Sequence, residues 1–222
     1  MKECIEELKS ELGNATLVAV SKTKSNEDIL KAYDFGIRDF GENYVQELIG
    51  KMDTLPKDIK WHMIGHLQTN KVKEIVKRNI HLIESVDSIK LANKINKEAI
   101  KNDKIINILV EVNIVGDPNK TGCMREDLDE LINEVQSLSN INLLGFMAIG
   151  PITNDSKEIN KYFKEMKKLK DKYKLKLLSM GMSNDYKEAL ICGTDIVRIG
   201  SKIFGERVYK KNIWIFKISL YN

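Results

Sequence analysis

A closed (β/α)8 TIM barrel is the fold that this sequence predicts, and three observations predict it. Eight short apolar runs of strand type alternate along the chain with segments whose apolar residues recur at helical spacing. The 222 residues suffice for one closed sheet, and with only 3 Pro and an ordinary 13 Gly no flexible linker divides them. An open doubly wound sheet usually carries a glycine-rich GxGxxG turn after its first strand, and none stands here. Units this short cannot enclose a core singly, so closing a parallel sheet satisfies all of them together.

The elements follow in order. The charged amino-terminal residues 1–8 have helical character and no signal-peptide core. Leu17-Val18-Ala19-Val20-Ser21-Lys22 is an unbroken apolar run, as in a strand covered on both faces, and it ends on an amine. Ser25 then caps a helix with Glu27 and Asp28 in its first turn and Gly36 at its end. Residues 37–43 form a brief strand, after which Asn43 and Gln46 stand at capping-box spacing ahead of Val45, Leu48, Ile49 and Met52. Residues 61–65 are the third strand, with Val72, Ile75 and Val76 behind it; residues 81–85 are the fourth, with Asp87 and Ser88 opening the next helix. The fifth strand, 105–114, is the longest, and its exit loop 115–122 is dense in turn formers. Strands six and seven are read at 142–149 and 175–180, the latter followed by a helix that Ser183 caps and Gly193 stops. Residues 195–200 are the eighth, closed by the turn Phe204-Gly205-Glu206-Arg207. The barrel domain is therefore expected over 1–207, leaving 208–222 as an apolar, aromatic tail.

Composition narrows the function. A net charge of +4, from 36 basic and 32 acidic residues that intermix, is too mild to argue for nucleic acid or an anionic membrane. The basic run 71–78 lacks interleaved aromatics and reads as the solvated face of an amphipathic helix. No segment approaches the roughly twenty apolar residues of a membrane span. Cys4, Cys123 and Cys192 are odd in number and far apart, which fits a reducing cytoplasm and not a structural zinc site. His62, His66 and His81 do not fall at metal-ligand spacing, so no metal is expected.

A barrel gathers the carboxyl ends of its strands into one mouth. Those ends are Lys22, Asn43, residues 62–66, Ser85, Asn113, Met147, Ser183 and residues 198–201. A lysine between low-dielectric walls is favoured as the neutral amine and can form a Schiff base, although in a chain 31% charged a solvated lysine is the plainer reading. Ser183 after Gly181, and Ser201 after Gly200, offer hydroxyls and helix-start amides where barrels commonly hold phosphate. Ser183 and Asn43 read equally as helix caps. Arg198 lies inside an apolar strand and needs a partner: a carboxylate such as Glu42, or a ring nitrogen of a ligand. An amine, a phosphate cradle and a strand arginine at one mouth suggest pyridoxal 5′-phosphate (PLP) as the cofactor.

The same residues carry a resemblance. Val18-Ala19-Val20-Ser21-Lys22-Thr23-Lys24, Phe40-Gly41-Glu42-Asn43-Tyr44-Val45-Gln46-Glu47, Trp61-His62-Met63-Ile64-Gly65-His66-Leu67-Gln68-Thr69-Asn70-Lys71, Gly145-Phe146-Met147-Ala148, Ser179-Met180-Gly181-Met182-Ser183 and Val197-Arg198-Ile199-Gly200 closely resemble the pyridoxal phosphate homeostasis proteins, single-domain relatives of alanine racemase. The resemblance implies a barrel like the alanine racemase amino-terminal domain, with Lys22 as the internal aldimine. It implies that Ser183, Gly200 and Ser201 hold the phosphate, that Arg198 faces the pyridine nitrogen, and that Asn43 and Met147 line the cofactor. It further implies a role in intracellular PLP homeostasis and delivery to PLP-dependent apoenzymes, by a monomer or weak dimer, without a catalytic residue. Racemisation needs a second base opposite the lysine, which in the racemases is a tyrosine on an additional β-domain, and these 222 residues are expected to lack such a domain. The alternatives are a racemase of low activity using Tyr44 or a histidine, and a lysine-dependent aldolase acting on a phosphosugar. Deleting residues from Ile213 onward is expected to leave cofactor binding intact.

Overall fold

The structure, a computed structural model, describes residues 1–206, so the expected tail at 208–222 lies outside the described residues, as does Arg207 of the closing turn. Eight parallel strands close into a barrel in which each pairs with the next in sequence and the eighth returns to the first. They are β1 (Thr16–Val20), β2 (Asp39–Glu42), β3 (Lys60–Met63), β4 (Ile80–Val86), β5 (Ile106–Glu111), β6 (Ile141–Met147), β7 (Leu177–Ser179) and β8 (Ile196–Ile199). The helices are α1 (Lys2–Leu12), α2 (Asn26–Asp34), α3 (Val45–Thr54), α4 (Val72–Val76), α5 (Ile89–Lys101), α6 (Leu128–Ser137), α7 (Ser156–Lys172), α8 (Tyr186–Ile191) and α9 (Ser201–Phe204).

Strand alternation sends side chains to two different cores. The outward set, with Ala19, Phe40, Trp61, Ile83, Val110, Phe146 and Val197, packs beneath the apolar faces of the helices. The inward set is a small cluster of Val18, Leu82, Leu109, Met147 and Ile196 inside the barrel. The rest of the interior is polar, because His62, Glu84, Ser179 and Arg198 are also buried there. Close strand approach rests on Gly145, where a Cβ would come 1.8 Å from the Leu177 carbonyl oxygen.

Two expected helix caps move. Ser25 caps α2 as its sequence suggests, accepting the Asp28 amide at 3.2 Å. Asn43, however, stands one residue before the α3 cap position, which is Tyr44, and Gln46 donates to Glu74 instead of closing a capping box. Helix α8 starts at Tyr186, with Asp185 ahead of it, so Ser183 lies in the preceding turn and is not its cap. The fifth strand is shorter than its apolar run because Val112 bridges to Cys123 and the Asn113 amide group turns the chain, donating to the Asp117 carbonyl at 2.7 Å.

Candidate functional site at the barrel mouth

A cavity of about 530 Å³ opens where the strands end. Lys22, Asn43, Ser183, Arg198, Gly200 and Ser201 all line it, joined by Lys24, the loop from Ile149 to Asn154, and Asp185. Six of the seven residues predicted for the site are thus brought together from β1, β2, β7 and β8. The seventh, Met147, packs in the barrel's interior cluster with Val18, Leu82, Leu109 and Ile196 and is not among the lining residues.

The segment around Lys22 is clamped on both sides. Ser21 donates its hydroxyl to Glu42 Oε1 at 2.5 Å, and Lys51 Nζ donates to the Ser21 carbonyl at 2.8 Å. The same Lys51 ammonium binds Glu42 at 2.8 Å and Glu47 at 2.6 Å, and Glu47 accepts the Thr23 amide at 2.6 Å. Thr23 has φ +66, a conformation that costs a β-branched residue of order 1 kcal/mol and persists only where its surroundings over-determine it. The tether at Glu47 supplies that constraint. Burial pushes the Glu42 carboxyl above its ordinary value, against the opposing pull of Lys51. Lys24 reaches the Phe204 carbonyl at 2.9 Å and so ties β1's exit to α9.

Arg198 is 4% exposed, and its partner is not Glu42. Its Nη1 donates to Ser179 Oγ at 2.5 Å and its Nη2 to the Ala148 carbonyl at 2.9 Å, with Glu84 Oε2 at 3.9 Å. Ser179 in turn donates to Glu84 Oε2 at 2.6 Å, Glu84 Oε1 lies 2.7 Å from His62 Nδ1, and His62 Nε2 lies 3.2 Å from Asp39 Oδ1. A hydrogen-bonded line therefore runs through the barrel from the cavity to its opposite end. Burial alone would raise the Glu84 carboxyl, but the hydrogen bonds from His62 and Ser179 and the positive charges of His62 and Arg198 hold it below the ordinary range. Burial disfavours a charged His62, yet the carboxylates of Asp39 and Glu84 overcome that and push its pKa up to about 9. Two of the three histidines lie together, the rings of His62 and His81 standing 5.3 Å apart.

At the cavity's other wall, Asp185 accepts the Met182 amide at 2.6 Å, and burial raises its carboxyl. Gly181 has φ +94, and a Cβ there would meet that of Ala189 at 2.6 Å, so the turn carrying Ser183 requires glycine. Asn43 Oδ1 is buried without a hydrogen-bond partner, as is Ser85 Oγ. A buried unpaired acceptor at a cavity wall costs roughly 1–3 kcal/mol until a donor reaches it. The Glu42–Lys51–Glu47 clamp and the Glu84–His62 pair escaped the sequence reading. Glu84 and His62 did leave a signal, since each interrupts an apolar strand as Arg198 does. The 149–154 loop left none.

Comparison with known proteins agrees with this geometry. The profile of the family described as "Alanine racemase, N-terminal domain" matches residues 1–208. A pyridoxal phosphate homeostasis protein of Aquifex aeolicus is 41% identical over 202 residues, covering 88% of each chain. One from Schizosaccharomyces pombe is 39% identical, over 89% of this chain and 86% of its own. Among solved structures, PipY of Synechococcus elongatus with PLP bound superposes with a TM-score of 0.85 at 32% identity, covering 92% of this chain and 99% of its own. An alanine racemase of Clostridium difficile shares the fold at a TM-score of 0.75 and 15% identity, over 93% of this chain and 56% of its own.

Proposed function

The chain belongs to the alanine racemase N-terminal domain family, among the pyridoxal phosphate homeostasis proteins, and from that membership we propose that it holds PLP at the barrel mouth as a carrier. The observation that carries this reading is the convergence of Lys22, Ser183, Arg198, Gly200 and Ser201 on one cavity. The residues present fit the cofactor. Asn43 Oδ1 is a buried acceptor awaiting a donor, and Gly200 keeps the wall low, since a Cβ there would press the Val20 carbonyl oxygen at 3.3 Å. PLP supplies an aldehyde for an amine, a phosphate for hydroxyl and amide donors, and a ring that draws electrons best when its nitrogen is protonated.

In this reading Lys22 is the amine that binds the aldehyde carbon, held in place by the Ser21 and Thr23 anchors. Ser183 and Ser201 hold the phosphate with their hydroxyls, and Gly200 and Ser201 with the amides that open α9. Asn43 orients the ring, and Met147 supports it from the interior cluster. Arg198, fixed by Ser179 and Ala148, keeps a cation against the pyridine nitrogen and so disfavours its protonation. That weakens carbanion chemistry. The described lining residues include neither tyrosine nor histidine, and Tyr44 is not among them. Their one carboxylate, Asp185, is engaged by the Met182 amide. Holding and handing on the cofactor suits such a site better than racemisation does. No helix among the described residues is long and apolar enough to cross a membrane.

Mixing the PLP-loaded protein with a PLP-dependent apoenzyme tests the reading. The expected result is restored apoenzyme activity with no steady racemisation or transamination by the loaded protein alone. Sustained amino-acid turnover that tracks its concentration would overturn the carrier assignment.

A further inference from the structure

The amino-terminal end of the barrel, opposite the cavity, holds a second cluster of titratable side chains. Asp39 opens β2, His62 is third in β3 and His81 is second in β4. An irregularity in the sheet explains the last placement. Trp61 pairs with Ile80 and His62 with Leu82, so His81 is the extra residue between them. A bulge re-aims the side chain it carries, and here the His81 ring comes to lie beside that of His62. One nitrogen from each histidine and one Asp39 oxygen all lie within 4.8 Å of one another.

Proximity is joined by orientation. The buried His62 is held at Nδ1 by Glu84, which leaves Nε2 directed at Asp39. A carboxylate behind an imidazole is the arrangement that fixes the tautomer and raises the basicity of a metal-binding histidine. The 3.2 Å between His62 Nε2 and Asp39 Oδ1 is close to the edge, about 3.3 Å, of a tetrahedron with metal–ligand bonds of about 2.0 Å. His81 is exposed, so an ion has access from solvent, and water completes the fourth position.

We propose that Asp39, His62 and His81 form a binding site for a borderline divalent transition ion such as Zn²⁺, with Glu84 as the positioning residue for His62. Two imidazoles and one carboxylate suit that class better than Mg²⁺ or Ca²⁺, which favour oxygen ligands. The ion takes the place of the proton between His62 Nε2 and Asp39 Oδ1, and that proton leaves to solvent. The site shares no residue with the cavity lining.

Chelator-stripped full-length protein, titrated with Co²⁺ and followed by visible ligand-field absorption, tests this, with Zn²⁺ as the displacing ion. The expected result is one saturable equivalent with the intense bands of a tetrahedral ion. H81A and D39N should weaken binding by about tenfold or more, and E84Q by about 10- to 100-fold. H66A, outside the cluster, should match the parent. His81 is exposed and Asp39 lies at a strand end, so circular dichroism should show both variants folded. Absence of saturable binding in the parent protein, or unchanged binding in folded H81A and D39N, would overturn the assignment.

Discussion

Lys22 owes its position to residues that do not themselves line the cavity. Ser21, Glu42, Lys51 and the half-buried Glu47 form a polar cluster that fixes the backbone on either side of that lysine. Removing one member of a buried ion pair strands the other, typically at about 3–5 kcal/mol. K51M is therefore expected to lower stability by about that amount in urea unfolding, and to slow reaction of PLP with Lys22. The double variant K51M/E42Q should recover part of the loss, because the fully buried charge of Glu42 is then gone and only the half-buried Glu47 loses its partner. A second residue-scale expectation concerns His62. Its folded pKa of about 9 lies above the ordinary value of 6.5, so its contribution is complete below about pH 6.5 and is lost as pH rises through about 9. In chelated protein the melting temperature should fall over that window, and E84Q should flatten the fall.

The elements show which parts of this architecture the chain announces. Each of the eight strands was legible because each is a short apolar run between helical patterns, and Ser25 was legible as a cap because its hydroxyl has only a local task. Asn43 and Ser183 misled as caps: both have the right residue type, and only tertiary placement shows that α3 and α8 begin later. The same holds for Arg198, whose need for a partner is readable while the partner, reached across from β7 and β4, is not. Glycines give the sharpest tests at this scale. Gly50 lies inside α3 with nothing near its missing Cβ, so G50A should raise stability by about 0.5–1 kcal/mol. At Gly65 a Cβ would meet the Asn43 carbonyl oxygen at 2.4 Å, so G65A should displace Asn43 and weaken PLP binding while Lys22 stays in place. Equilibrium unfolding and PLP titration of the two variants check both.

At the scale of the whole molecule, barrel closure is what turns distant segments into one site. β1 pairs with β8, which brings Lys22 beside Gly200 and Ser201, and β7 adds the Ser183 turn. The interior is divided between an apolar cluster and a line of hydrogen bonds from Arg198 to Asp39, so the cavity and the opposite end of the barrel are physically continuous. In the proposed function, this closure serves to present one lysine to PLP. The most direct test is incubation of the protein with PLP, borohydride reduction and peptide mass mapping. The expected result is a single reduced adduct on Lys22, and no adduct of comparable yield in K22A. An adduct spread over surface lysines, or K22A labelled as fully as the parent, would rule out Lys22 as the PLP-binding lysine.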